Sequence, residues 1–167
     1  MLPIPTHLDG ILIPVGESNG ENKVDGIIRC SCENETFHLK SNLETTYGEE
    51  HSLTIKVVCS SCNAEYLILD SGKHGWDGFV CHDGGEAAPD EVLEGKTCSK
   101  CNSPILIVKV GISSQGKQDF IDESGIADGE AEFNEDDWID AFEWITVSPK
   151  CSACGYEEEN WIDLETM

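Results

Sequence analysis

Residues 98–112 read Cys98-Ser-Lys-Cys101-Asn-Ser-Pro104-Ile-Leu-Ile-Val-Lys-Val-Gly-Ile112. A Cys-x-x-Cys turn runs directly into an apolar, β-branched segment, the pattern of a strand that leaves a cysteine turn. After 49 intervening residues the pattern returns: the strand-like Phe142-Glu-Trp-Ile-Thr-Val147 enters Cys151-Ser-Ala-Cys154, and Tyr156 to Leu164 leaves it. The first half of the chain carries the same arrangement. Val24-Asp-Gly-Ile-Ile-Arg29 leads into Cys30-Ser-Cys32, and Glu35-Thr-Phe-His-Leu-Lys40 leaves it. After 26 intervening residues Ser52-Leu-Thr-Ile-Lys-Val-Val58 enters Cys59-Ser-Ser-Cys62, and Ala64-Glu-Tyr-Leu-Ile-Leu-Asp70 follows. The repeating unit is strand, cysteine turn, strand, with two turns per half, so the chain reads as a weak internal repeat.

Eight of the nine cysteines fall into these four close pairs, and Cys81 stands alone. A tight turn lets two thiolates face one point, and two such turns joined by a hairpin complete a tetrahedron of four sulfurs around Zn²⁺. Pairing neighbours in sequence gives one site from Cys30, Cys32, Cys59 and Cys62, and another from Cys98, Cys101, Cys151 and Cys154. A crossed arrangement would instead join Cys59 and Cys62 to Cys98 and Cys101. Local closure favours the sequential pairing. Cys30-Ser-Cys32 is one residue shorter than the usual knuckle, which leaves His38 and Cys81 as alternative fourth ligands of the first site. Disulfides need an oxidising compartment. A redox-active Cys-x-x-Cys is normally a single motif in a βαβ setting, unlike these four pairs. Iron is a further option at Cys151-Ser-Ala-Cys154-Gly155-Tyr156, which looks like a rubredoxin knuckle.

The turns Cys59-Ser-Ser-Cys62, Cys98-Ser-Lys-Cys101 and Cys151-Ser-Ala-Cys154-Gly155 resemble those of the zinc-ribbon superfamily. The resemblance covers about residues 24–70 and 96–164. It implies structural zinc and small antiparallel β units, and it carries almost no information about function.

Composition bounds the rest. The 167 residues are 39% hydrophobic, low for a single large core, and small cores usually need a metal or disulfide staple. No basic, uninterrupted apolar leader is visible, because Pro3, Pro5 and Pro14 break the start. No apolar run reaches membrane-spanning length. The expected setting is cytoplasmic. Thirty-three acidic residues against ten basic ones give a formal charge of −23. Zinc ribbons that bind nucleic acid do so with Lys and Arg on phosphates, so direct nucleic-acid binding is disfavoured.

Two stretches outside the cysteine turns carry candidate chemistry. His74, Cys81, His82 and Asp83 cluster around a Gly-rich segment and offer a nucleophile and base, or a third metal site. A surface loop is the alternative reading. Residues 118–149 hold eleven acidic residues and no Lys or Arg, with Asp128, Glu130 and Glu132 alternating ahead of Glu135, Asp136 and Asp137. No EF-hand order is present. This stretch reads as a solvated loop or as a docking surface for a basic partner. Within it, Asn134 suits the N-cap of a short helix. Trp138 is either core or an exposed anchor.

The expected fold is mainly β: two small zinc-ribbon-like antiparallel units packed together, with one or two short helices. The expected segments are an N-terminal extension (1–23), a first unit (24–83), a linker (84–95) and a second unit (96–167) carrying an acidic insertion (118–141). The expected cofactor is two structural Zn²⁺. The expected function is a non-enzymatic, acidic interaction module that binds or inhibits a basic protein partner. The alternative is a hydrolase or thiol-dependent enzyme built on His74, Cys81, His82 and Asp83.

Overall fold

Alternation of buried and more exposed side chains marks most of the longer strands. The computed structural model describes residues 2–17, 19–83, 85–129 and 132–167. Of the sequence-based expectations, Glu130 and the first residue of the linker, Gly84, lie outside the described residues.

The strands are β1 (Leu12–Pro14), β2 (Lys23–Ile28), β3 (Phe37–Ser41), β4 (Thr54–Cys59), β5 (Glu65–Asp70), β6 (Glu94–Gly95), β7 (Leu106–Ser113), β8 (Trp144–Cys151) and β9 (Ile162–Glu165). One short α-helix, α1 (Lys117–Glu123), joins them. The fold is mainly antiparallel β, with few short helices. Among the described residues, all nine strands belong to one curled sheet. β7 lies at its centre because Leu106, Val108, Val110 and Ile112 all point into the core while both of its edges are paired. β1, with Pro14 at its end, occupies an edge, where a missing N–H costs no ladder bond.

β2 pairs with β7 from Lys109 to Ser113, and β3 takes over the same edge of β7 at Leu106. The two halves are related by a pseudo-two-fold through that point. Lys40, three residues past Phe37, pairs with Gly95, three before Cys98. Lys109, three past Leu106, pairs with Ile27, three before Cys30. Each half therefore lends the strand ahead of its own first cysteine turn to the other half's hairpin. The repeat seen in the sequence is a reciprocal exchange of strands in space. β6, which receives no other strand, falls within the stretch read as linker.

One apolar cluster runs through both halves, from Leu8, Val24 and Ile28 through Phe37, Leu39 and Ile55 to Leu106, Val108 and Ile145. Phe37 and Leu39 are fully buried. Side chains of this size contribute about 2–3 kcal/mol each by leaving water.

A second, smaller cluster orders the acidic insertion. Phe120 on α1, Trp138 and Ala141 pack against Trp76, Phe79 and Val80. Residues Trp76–Val80 form a single wide turn of π-helix. Trp76 meets Phe120 edge-on at 6.2 Å, and Phe79 lies 5.3 Å from Phe133. Trp138 is thus a core residue, 6% exposed. Asn134 caps the 3-10 turn Glu135–Ile139, and the Asp137 carboxylate accepts the Asn134 N–H at 2.8 Å. Among the described residues, no helix is long and apolar enough to cross a membrane.

Candidate metal centres

Each cysteine turn closes on itself by the same two backbone bonds. In the second turn the Asn63 N–H donates to the Cys59 carbonyl and the Cys59 N–H donates to the Ala64 carbonyl. Asn102 with Cys98 and Ser103 repeats this, as does Gly155 with Cys151 and Tyr156. The residue after the second cysteine sits in the left-handed region: Asn63 at φ 63°, Asn102 at 61° and Gly155 at 78°. Asn and Gly tolerate that conformation better than other residues. The first turn keeps the pattern with one residue fewer. Glu33 bonds to the Cys30 carbonyl, the Cys30 N–H bonds to Asn34, and Glu33 takes the positive φ of 74°. The short Cys30-Ser-Cys32 turn is therefore a shortened knuckle.

The turns bring the thiols together as two tetrads, Cys30, Cys32, Cys59 and Cys62, and Cys98, Cys101, Cys151 and Cys154. Within each, all four sulfurs lie within 4.8 Å of one another. Cys30 and Cys62 approach to 3.4 Å and Cys32 and Cys59 to 3.6 Å. Cys98 and Cys154 stand 3.6 Å apart, and Cys101 and Cys151 3.5 Å. A tetrahedral ion with metal–sulfur bonds near 2.3 Å has a sulfur–sulfur edge of about 3.8 Å, so the geometry fits. The pairing is sequential, and neither His38 nor Cys81 joins a tetrad. The first cysteine of each turn is buried and the second is exposed, which places each centre at a rim of the sheet.

Hydrogen bonds point at the sulfurs. The N–H groups of Ser61 and Cys62 face the Cys59 sulfur at 3.4 and 3.5 Å, and the Asn34 amide donates to it at 3.2 Å. Tyr66 brings its hydroxyl to 3.3 Å from the Cys30 sulfur. In the second tetrad the Lys100 N–H faces Cys98 and the Cys154 N–H faces Cys151, both at 3.4 Å. Burial opposes ionisation of Cys59, but these N–H groups outweigh it and bring the thiol down to about 6. The Cys154 N–H likewise brings Cys151 down to about 6 against the cost of burial. The Asn34 N–H favours the Cys32 thiolate, yet the adjacent Cys30 sulfur and burial push that thiol up to about 12. Cys101 is also pushed up to about 12, the help of the Ser103 N–H being overcome by the Cys151 sulfur and burial. Four negative sulfurs cannot share this space without a cation to balance them, and two Cys₄ sets of this shape can hold metal ions.

The histidine-bearing loop is arranged differently from its catalytic reading. His74 stacks on His7 at 3.6 Å, and its Nδ1 accepts the Asp70 N–H at 2.9 Å. Cys81, His82 and Asp83 are exposed. Asp83 lines a cleft of about 210 Å³ with Asp77, Tyr47, His51 and Glu165. Among the described residues, no side-chain hydrogen bond or metal-competent cluster joins His74, Cys81, His82 and Asp83.

The sequence reading did not single out His7, Asn34 or Tyr66. Tyr66 lies four residues past Cys62 and Asn34 two past Cys32, positions from which a donor reaches back to a sulfur of the same tetrad. That regularity becomes visible once the turns are known. Comparison of the chain with protein-family models, with curated proteins and with solved structures finds no match.

Proposed function

We propose that this protein is a non-enzymatic structural zinc protein whose two Cys₄ centres hold a sheet that presents an acidic face to a basic protein partner. The observation that carries the reading is the use of all eight paired cysteines in two tetrads. A Cys₄ site is closed to substrate and to an activated water, so the metal serves the fold. Zinc suits four thiolates in a tetrahedral set and requires no redox partner.

Charge supports the partner's chemistry. Lys23, Arg29, Lys56, Lys96, Lys109 and Lys117 are each engaged by a nearby carboxylate, which weakens them as anchors for a phosphate backbone. Asp119, Glu123, Glu143 and Glu165 gather without an ion pair among the described residues. Burial and these three neighbours push the Glu143 carboxyl up. A cationic partner would relieve that repulsion and be steered by it.

Native mass spectrometry tests the metal reading. Two zinc ions per chain are expected, one in Cys151→Ser and two in Cys81→Ser. One or none in the unaltered chain removes it. The docking reading is tested with a Lys/Arg-rich peptide as probe. Combined Asp122→Asn, Asp128→Asn and Glu132→Gln substitutions, all on exposed residues, should weaken binding and flatten its salt dependence. Unchanged affinity and an unchanged salt slope remove it.

A further inference from the structure

Outside the cysteine tetrads, the most specific arrangement of titratable side chains joins the N-terminal turn to the loop after β5. The His7 and His74 rings lie parallel within 4°, their centroids 3.6 Å apart. His7 belongs to the 3-10 turn Thr6–Leu8, and His74 follows β5. The pairing of β4 with β5 skips Ile68, and His7 Nε2 donates to the Ile68 carbonyl at 2.9 Å. The Asp70 N–H donates to His74 Nδ1 at 2.9 Å. The same N-terminal turn reaches the acidic insertion: the Thr6 N–H and hydroxyl both donate to the Asp140 carboxylate at 2.7 Å. One short segment thus ties the end of β5 to the base of the insertion.

We propose that the His7–His74 stack is an acid-releasable latch: while both rings are neutral it holds residues 2–9 across β5 and keeps Thr6 on Asp140, and protonation frees the segment. The reading does not depend on the identity of the metal or of any partner.

The bonding pattern gives the direction. His74 Nδ1 is an acceptor here, so a proton on it removes the bond to the Asp70 N–H. His7 already donates through Nε2, so a proton added at Nδ1 makes it cationic, and two cationic rings cannot remain at this separation. The surrounding charges are few. Asp140, just past the Glu135–Ile139 turn, faces His7 and favours its protonation, whereas Lys73, on the same loop as His74, opposes protonation there. The Asp70 carboxylate, at the end of β5, is occupied by the Ser52 hydroxyl at 2.7 Å and the Gly72 N–H at 2.9 Å.

Burial lowers both rings. It takes His74 from 6.5 to about 3, with His7 and Lys73 adding to the effect, and it lowers His7 although Ile68 and Asp140 pull the other way. The sign follows from linkage. The released histidine takes up a proton near 6.5 and the latched one does not, so the closed form is fully favoured above that pH and loses ground below it. Between pH 7.0 and 5.0 a histidine that stays neutral when latched shifts the equilibrium about 25-fold towards release.

Hydrogen exchange on the full zinc-loaded chain, corrected for the intrinsic rate, tests this at pH 7.0 and 5.0. Opening of residues 2–9 should rise by at least that factor, while amides of β7 and β8 keep their protection. His74→Phe, which stacks without titrating, should cut the response to that of His7 alone. On the unaltered chain, imidazole nitrogen shifts should report a neutral His74 at pH 6. Flat protection of residues 2–9 from pH 7.0 to 5.0, loss only together with β7 and β8, or a cationic His74 at pH 6 overturns the proposal.

Discussion

Phe37 pairs with Leu106 at the register where β3 meets β7. Phe37 also pairs with Cys59 on its other side, and Leu106 with Cys151. The row Cys59, Phe37, Leu106, Cys151 therefore crosses four strands and ends in one ligand from each tetrad. Three inter-strand steps put these two cysteines about 14 Å apart along the sheet. The flanking residues repeat the symmetry, since the Ser60 hydroxyl donates to the Thr36 carbonyl and the Ser152 hydroxyl to the Ile105 carbonyl.

Substitution at the centre of this row should disturb both centres. Phe37 is fully buried, and Phe37→Ala should cost about 3–5 kcal/mol. Metal loss to a competing chelator should speed up at both tetrads. Acceleration at the first tetrad alone would show that the row does not couple them. Thermal melts and metal-release kinetics measure the two effects.

The exchanged strands predict that neither half is complete. β2 finds its partner on β7, and β6 finds its partner on β3. Residues 24–83 produced alone should give no cooperative melt, and mixing them with residues 85–167 should restore one. Circular dichroism on the separate and mixed fragments reads this directly. A cooperative transition in the isolated first fragment contradicts it.

Donors around the sulfurs should tune one site without the other. Tyr66 and Asn34 serve only the first tetrad. Tyr66→Phe or Asn34→Ala should speed metal release there about 10-fold or more and leave the second tetrad unchanged. Chelator competition with native mass spectrometry resolves the two populations.

The left-handed residues of the turns predict opposite outcomes for two small substitutions. Asn102→Ala keeps a Cβ at φ 61° but removes the polar group that eases this conformation, and should cost about 1 kcal/mol. Asn102→Gly should stay within about 0.5 kcal/mol of the unaltered chain. Denaturant titration of the metal-bound protein separates them.

Removal of the metal should unfold the rims of the sheet first. Four thiols per tetrad remain, one pushed up to about 12 (Cys32, Cys101) and one brought down to about 6 (Cys59, Cys151), with no cation to balance ionisation. A strong chelator should lower the melting temperature and expose amides of Cys59–Ala64 and Cys151–Tyr156 before those at the centre of β7. Hydrogen exchange before and after chelation checks the order.

By itself, the sequence determined most of the strands and the second tetrad, and it left the fourth ligand of the first open. Spacing of two or three residues confines each cysteine pair to one turn, and period-two alternation around it leaves little choice but a strand, so Cys98, Cys101, Cys151 and Cys154 were legible as a set. Asn134 was legible as a cap for the same local reason. Tertiary structure decided what depends on residues distant in the chain. The exchange of β2 and β6 between halves rests on backbone hydrogen bonds, which carry no side-chain signature. Trp138 belongs to a core because Phe120 and Trp76 arrive from elsewhere to cover it. His74 looked like part of a reactive loop with Cys81, yet its partner is His7, 67 positions earlier, and only the folded chain sets those two rings face to face.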